Sequence, residues 1–147
     1  MRIVLAATAA VVVAALGYGV DAAAGAGEDP LGPGVVRVPV TIEHSRFSLG
    51  PDGGDELVVR AGTILELEVT NGDPIDHELV IGGDDVHARH ADGTERFHPP
   101  VPGEVSVGAG EVGFTYYELT EPGTYDVVCH LPRHAEYGMV AEVRVIG

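Results

Sequence analysis

The sequence predicts an all-β domain, a Greek-key β-sandwich or barrel of about seven short strands, behind an N-terminal apolar leader. Three observations predict it. Among 147 residues, 21 Gly and 10 Pro break the chain into short segments. Those segments alternate apolar and polar residues with a period of two. Beyond the leader, no apolar stripe recurs convincingly at helical spacing.

The leader comes first. Arg2 precedes an almost unbroken apolar run from Ile3 to Val20, and Ala22-Ala23-Ala24 follows with a small-x-small cleavage pattern. Residues 1–24 read as a signal peptide or an uncleaved membrane anchor, and either one predicts an exported protein. No Cys lies near the leader, which excludes a lipid-anchored form. Residues 25–34, GAGEDPLGPG, read as a linker, and residues 35–147 as the folded domain.

Within the domain, Val36, Val38, Val40 and Ile42 alternate with other residues and predict a strand. ELVVRAG is a second strand that ends in a turn. In TILELEVTNGD, Leu65, Leu67 and Val69 face one way and Glu66, Glu68 and Thr70 the other, before the NGDP turn. HELVIG is a compact apolar strand. Residues 84–104 lack any period of two and read as a long loop with at most one helical turn at residues 86–90. Residues 105–107 follow as a strand, then EVGFTYYEL with Val112, Phe114 and Tyr116 on one face. GTYDVVC puts Tyr125, Val127 and Cys129 on one face, and MVAEVRVI sets Ala141, Val143 and Val145 against Val140, Glu142 and Arg144.

Composition narrows the function. Formal net charge is −15, and every basic side chain is Arg. Such a surface repels nucleic acid and anionic headgroups and suits basic partners, or it reflects a composition bias. Exported proteins usually pair their cysteines, but this chain has a single Cys. It is a buried small hydrophobe, an intermolecular partner or a ligand.

That residue, Cys129, is followed by His134 and Met139 in VVCHLPRHAEYGMVAEV, a C-x4-H-x4-M spacing on a loop between two strands. Two His and one Cys in a plane, with a weak axial Met, form the electron-transfer copper geometry. His77 is the candidate for the missing imidazole. It opens HELVIG after the NGDPID turn and reaches the same end of the barrel if that strand lies beside the Cys129 strand. Taken singly, each of these residues reads as ordinary packing, and only their order and strand context point to a metal.

These segments resemble the cupredoxin, or small type-1 blue copper protein, family. NGDPIDHELVIG resembles the family's first-ligand segment and GTYDVVCHLPRHAEYGM its C-terminal ligand loop, with Tyr125 four before the Cys. The resemblance implies one type-1 copper per chain. His77, Cys129 and His134 would be equatorial ligands, Met139 the axial one, and the protein a monomer that shuttles single electrons between redox partners. Membrane contact is expected only if the leader is retained. Two positions depart from the family pattern. Glu78 stands after the first His, where Asn or Ser is common, and Arg133 stands before the second, where Gly is common.

Other histidines are expected elsewhere. His130, beside Cys129, should point to the opposite face of its strand. His44 reads as a surface residue. His87, His90 and His98 form a second group, either exposed, a lid, or a further metal site. A nucleophilic Cys129 with a His base leaves Met139 without a task, and no G-x-S-x-G, zinc-protease helix or phosphate-binding loop is present, so no enzyme is expected. The two-copper centre of respiratory oxidases needs a second Cys. Extracytoplasmic copper binding and trafficking with the same ligands is the rival reading, and a metal-free structural module a third. If the Arg133 charge disfavours Cu(II), Arg133→Gly should lower the reduction potential in voltammetry; a rise, or no shift, contradicts that.

Overall fold

The computed structural model describes residues 30–92 and 101–147. Most of the leader-and-linker segment, with His98, lies outside them. Among the described residues the chain forms β1 (Gly34–Glu43), β2 (Arg46–Leu49), β3 (Glu56–Arg60), β4 (Thr63–Asn71) and β5 (His77–Gly82). Then come α1 (Asp84–Asp92), β6 (Glu104–Val107), β7 (Val112–Leu119), β8 (Gly123–Val128) and β9 (Val140–Ile146).

Period-two alternation builds two sheets. One has the order β2-β1-β4-β7 and the other β3-β9-β8-β5-β6. β1 runs parallel to β4, and β3 parallel to β9, so these partners are joined by long crossovers while β1–β2, β5–β6 and β8–β9 pair as sequence neighbours, a mixture that fits Greek-key connections. The inner faces supply the core: Val38, Val40 and Ile42 from β1, Leu65, Leu67 and Val69 from β4, and Leu79 and Ile81 from β5. Val127 from β8, with Ala141, Val143 and Val145 from β9, join the β5 pair on the sheet that faces β1 and β4. Each of the Val, Leu and Ile side chains contributes about 1.5–3 kcal/mol by leaving water.

Three elements differ from the sequence reading. β2 is an added strand, with too few residues to show a period by itself, and it brings the described strands to nine. In β7, Val112, Phe114 and Tyr116 share one face as expected, and that face is the outer one, exposed by 49%, 69% and 56%. Leu31, assigned to the linker, bridges to Val59 on the β3 edge.

The third difference is α1, a full helix in place of a loop. Its acidic first turn (Asp84, Asp85) and basic last turn (Arg89, His90) suit the helix dipole, and Arg89 bonds Asp85 at 2.8 Å. Val86 is its one large apolar residue, so no apolar stripe announced it. It lies against β5 and β8. That contact explains why β5 reads LVI without alternation: Val80, facing away from the core pair Leu79 and Ile81, is buried as well.

Helix and sheet approach closely at Gly82, where an added Cβ would sit 2.6 Å from the Val86 Cβ. Gly82→Ala is therefore expected to cost about 1–3 kcal/mol through overpacking. Urea denaturation measures this; an unchanged midpoint would show that α1 moves aside freely.

Candidate metal centre

Two adjacent strands and one loop position the site. β5 pairs antiparallel with β8 through Val80 opposite Val128, which sets the His77 end of β5 beside the end of β8. Cys129 follows β8 directly, and Met139 directly precedes β9. Between them the chain winds through successive turns, with N–H groups of His134, Tyr137 and Gly138 donating to the carbonyls of Leu131, Arg133 and Ala135. Cys129 N–H then donates to Met139 O at 3.3 Å and Met139 N–H to His134 O at 3.0 Å, cinching the loop shut.

The result is a converging donor set. His77 Nδ1 lies 3.2 Å from His134 Nδ1, and Cys129 Sγ lies 3.3 Å from that same nitrogen. One ligand atom from each of the three residues falls within 4.8 Å of the others, and among the described residues no other group of three His, Cys, Asp or Glu does so. Cys129 and Met139 are 0% exposed and His77 1%, while His134 is only half-buried.

The His77 ring and the thiol are oriented by further contacts. His77 Nε2 donates to Asp73 Oδ2 at 2.9 Å, which leaves its Nδ1 lone pair facing the other donors. Asp73 also accepts the backbone N–H groups of His44 and Ser45, both at 2.7 Å. Those two residues form the β1–β2 turn with φ of 54° each, a conformation that costs energy outside Gly and that the carboxylate holds in place. Burial pushes the Asp73 carboxyl up, but these N–H groups and the His77 ring outweigh it and hold it below the usual carboxylate range. Asn71 pins the same segment, donating to the carbonyls of Ile75, Val107 and Gly108 while its Oδ1 accepts Asp73 N–H.

Burial pushes the Cys129 thiol up, and the backbone N–H groups of Glu78 and Leu131 at the sulfur oppose that rise. Burial and then the His77 ring hold His134 below the usual imidazole value, against the pull of Asp73. An imidazole pair beside a sulfur supported by two N–H donors fits a thiophilic, imidazole-binding ion, since metal coordination deprotonates such a thiol.

Residues 54–146 match the model of the copper binding proteins, plastocyanin/azurin family. The chain belongs to that family. This cupredoxin is 33% identical over 92 residues to the copper-resistant cuproprotein CopI of Rubrivivax gelatinosus, an alignment covering 60% of this chain and 56% of CopI. The chain thus spans little more than half the length of that relative. Auracyanin from Roseiflexus castenholzii superposes on 77% of the chain and 97% of its own length, with TM-score 0.59 at 21% identity. Auracyanin B covers 77% and 88%, with TM-score 0.56 at 25% identity, and rusticyanin 79% and 81%, with TM-score 0.54 at 19%. These likenesses show the cupredoxin fold.

The cupredoxin's departures from the family pattern acquire a structural reading. At Glu78 the backbone N–H, not the side chain, reaches the Cys129 sulfur and so links the two ligand segments. Arg133 adopts φ 70° in the place where Gly is common. Its guanidinium stays 66% exposed, 3.7 Å from Glu136 and 4.9 Å from the Tyr137 ring, so water and Glu136 screen its charge and any effect on the potential is small.

The remaining histidines fall in two places. His44 is exposed at the β1–β2 turn. His130 points away from Cys129 and meets His87 of α1, and burial followed by the charges of His87 and His90 pushes it down to about 4. Asp73 was missed in the sequence, where NGDP read only as a turn; the signal was an Asp four residues before His77. Asp73→Asn removes the carboxylate that orients the His77 ring, so Cu(II) affinity should fall about 10–100-fold. With Cu(I) affinity unchanged, the potential rises by about 60 mV per tenfold. Voltammetry beside a competitive copper titration measures both, and an unmoved potential would remove Asp73 from this role.

Proposed function

We propose that this cupredoxin is an exported one-electron carrier, and not an enzyme, that holds a single type-1 copper through His77, Cys129, His134 and axial Met139. The convergence of His77 Nδ1, Cys129 Sγ and His134 Nδ1 within 4.8 Å carries the reading. Bound copper supplies a one-electron couple. The protein supplies everything that keeps such a couple fast. Asp73 holds the His77 ring, the Glu78 and Leu131 amides hold the Cys129 sulfur, and the Met139 backbone closes the loop. Groups fixed in this way have little to rearrange when the charge at their centre changes. Burial of three of the four side chains keeps water out. His134, the half-buried one, is the edge a redox partner can touch, with Tyr137 of the same loop and Ile75 of the β4–β5 loop exposed. A net charge of −15 favours a basic partner.

Similarity to a copper-resistant cuproprotein favours a second reading, copper binding and delivery outside the cell through the same four residues. The spectrum and voltammogram of the copper-loaded full chain separate the two. Carrier function predicts an intense visible band and a fast, reversible couple; a colourless protein that passes Cu(I) to a chelating acceptor indicates delivery. Cys129→Ser is expected to abolish the intense band while circular dichroism stays unchanged. An intensely blue Cys129→Ser protein rules Cys129 out as a ligand.

A further inference from the structure

Of the chain's seven histidines, three gather on the far side of the Cys129 strand. His87 and His90 come from α1, and His130 follows Cys129. Strand alternation, which sends the Cys129 sulfur toward His134, sends the next side chain toward the helix. Their hydrogen bonds settle how these rings present their nitrogens. His87 Nε2 lies 3.1 Å from both Gly82 O and Asp126 O, and carbonyls only accept, so this nitrogen carries the proton. The neutral ring then has its lone pair at Nδ1, which faces His130 Nε2 at 3.0 Å. Two imidazole nitrogens thus meet with one proton between them, and a metal ion can take its place when the His130 proton moves to the other ring nitrogen, Nδ1.

The same arrangement marks the first site, where the facing nitrogens lie 3.2 Å apart and one ring is anchored by its other nitrogen. Two bonds of about 2.0 Å from a single ion span 3.0 Å at an angle between square-planar and tetrahedral. Further donors stand close by. The His90 ring stacks on His130 at a centroid distance of 5.3 Å and 28°. His90 Nδ1 lies 3.0 Å from Val86 O, and its Nε2 faces Glu104 Oε1 at 3.2 Å. Both side chains are largely buried, 14% and 13% exposed.

We propose that His87 and His130 form a second copper site, built from a preformed imidazole pair and completed by His90 or Glu104. Imidazole and carboxylate donors without sulfur bind Cu(II) more tightly than other divalent first-row ions. Only the first site has three donor atoms already within 4.8 Å, so this one binds more weakly and fills second. It is joined to the first through the single peptide unit between Cys129 and His130.

Titration of the full chain with Cu(II), followed by dialysis, metal analysis and electron paramagnetic resonance, tests the site. Two copper ions per chain are expected. The second adds a resonance signal with wide hyperfine splitting and nitrogen couplings, without an intense visible band. His87→Gln and His130→Gln each lose the second ion and keep the first, whereas His44→Gln keeps both. Should His87→Gln fail to fold, His90→Gln with Glu104→Gln leaves the pair intact and weakens the second ion at least about tenfold. Cys129→Ser keeps the second ion, which separates this proposal from the carrier reading. One copper in the unaltered chain, or a second ion that survives both His87→Gln and His130→Gln, overturns it.

Discussion

Antiparallel pairing of β5 with β8 is the constraint on which the rest depends. Val80 opposite Val128 brings two distant segments side by side and aligns the start of β5 with the end of β8. Everything chemical then follows from strand geometry. Side chains alternate across a strand, so the adjacent residues Cys129 and His130 diverge, one into the end of the barrel and the other under α1. A shift of one residue in this register would exchange their surroundings, leaving the sulfur with the histidine cluster and an imidazole in its place. Such a shift is costly because it would turn the charged Glu78 toward the fully buried position that His77 occupies.

Asp73 ties that pairing to the opposite sheet. Its carboxylate takes one ring N–H from His77 and two backbone N–H groups from the β1–β2 turn. The turn residues His44 and Ser45 hold a left-handed conformation that suits a tight hairpin but not their side chains. One anion thus offsets backbone strain in one sheet and orients an imidazole in the other. Asn71, buried at the end of β4, fixes the loop between them through three carbonyls. Polar side chains therefore do at this end of the barrel what aliphatic packing does in its middle.

Rigidity at the donor set and exposure at one edge are compatible because different elements supply them. His77 and Cys129 sit on or beside paired strands and are fully buried. His134 rides on a loop whose own hydrogen bonds hold it, which lets one face of its ring approach the surface. Acidic side chains outnumber Lys and Arg by 23 to 8, and Glu66, Glu68 and Glu118 lie on the outer faces of β4 and β7, where water screens them.

The sequence by itself determined the fold class and the grouping of Cys129, His134 and Met139, because both are written in short-range patterns. Period-two alternation in β1, β4 and β9 names the buried faces, and a ligand loop closed between two strands needs only local spacing. Tertiary structure decided the rest. Helix α1 was illegible because imidazoles and Gly82 dock it, not an apolar stripe. The outward face of β7 was ambiguous, since alternation shows that two faces differ without showing which one meets the other sheet. Asp73 and the meeting of His87 with His130 were beyond a linear reading for the same reason. Each depends on which strands become neighbours, and that choice is made by the burial of the whole core, not by any one segment of it.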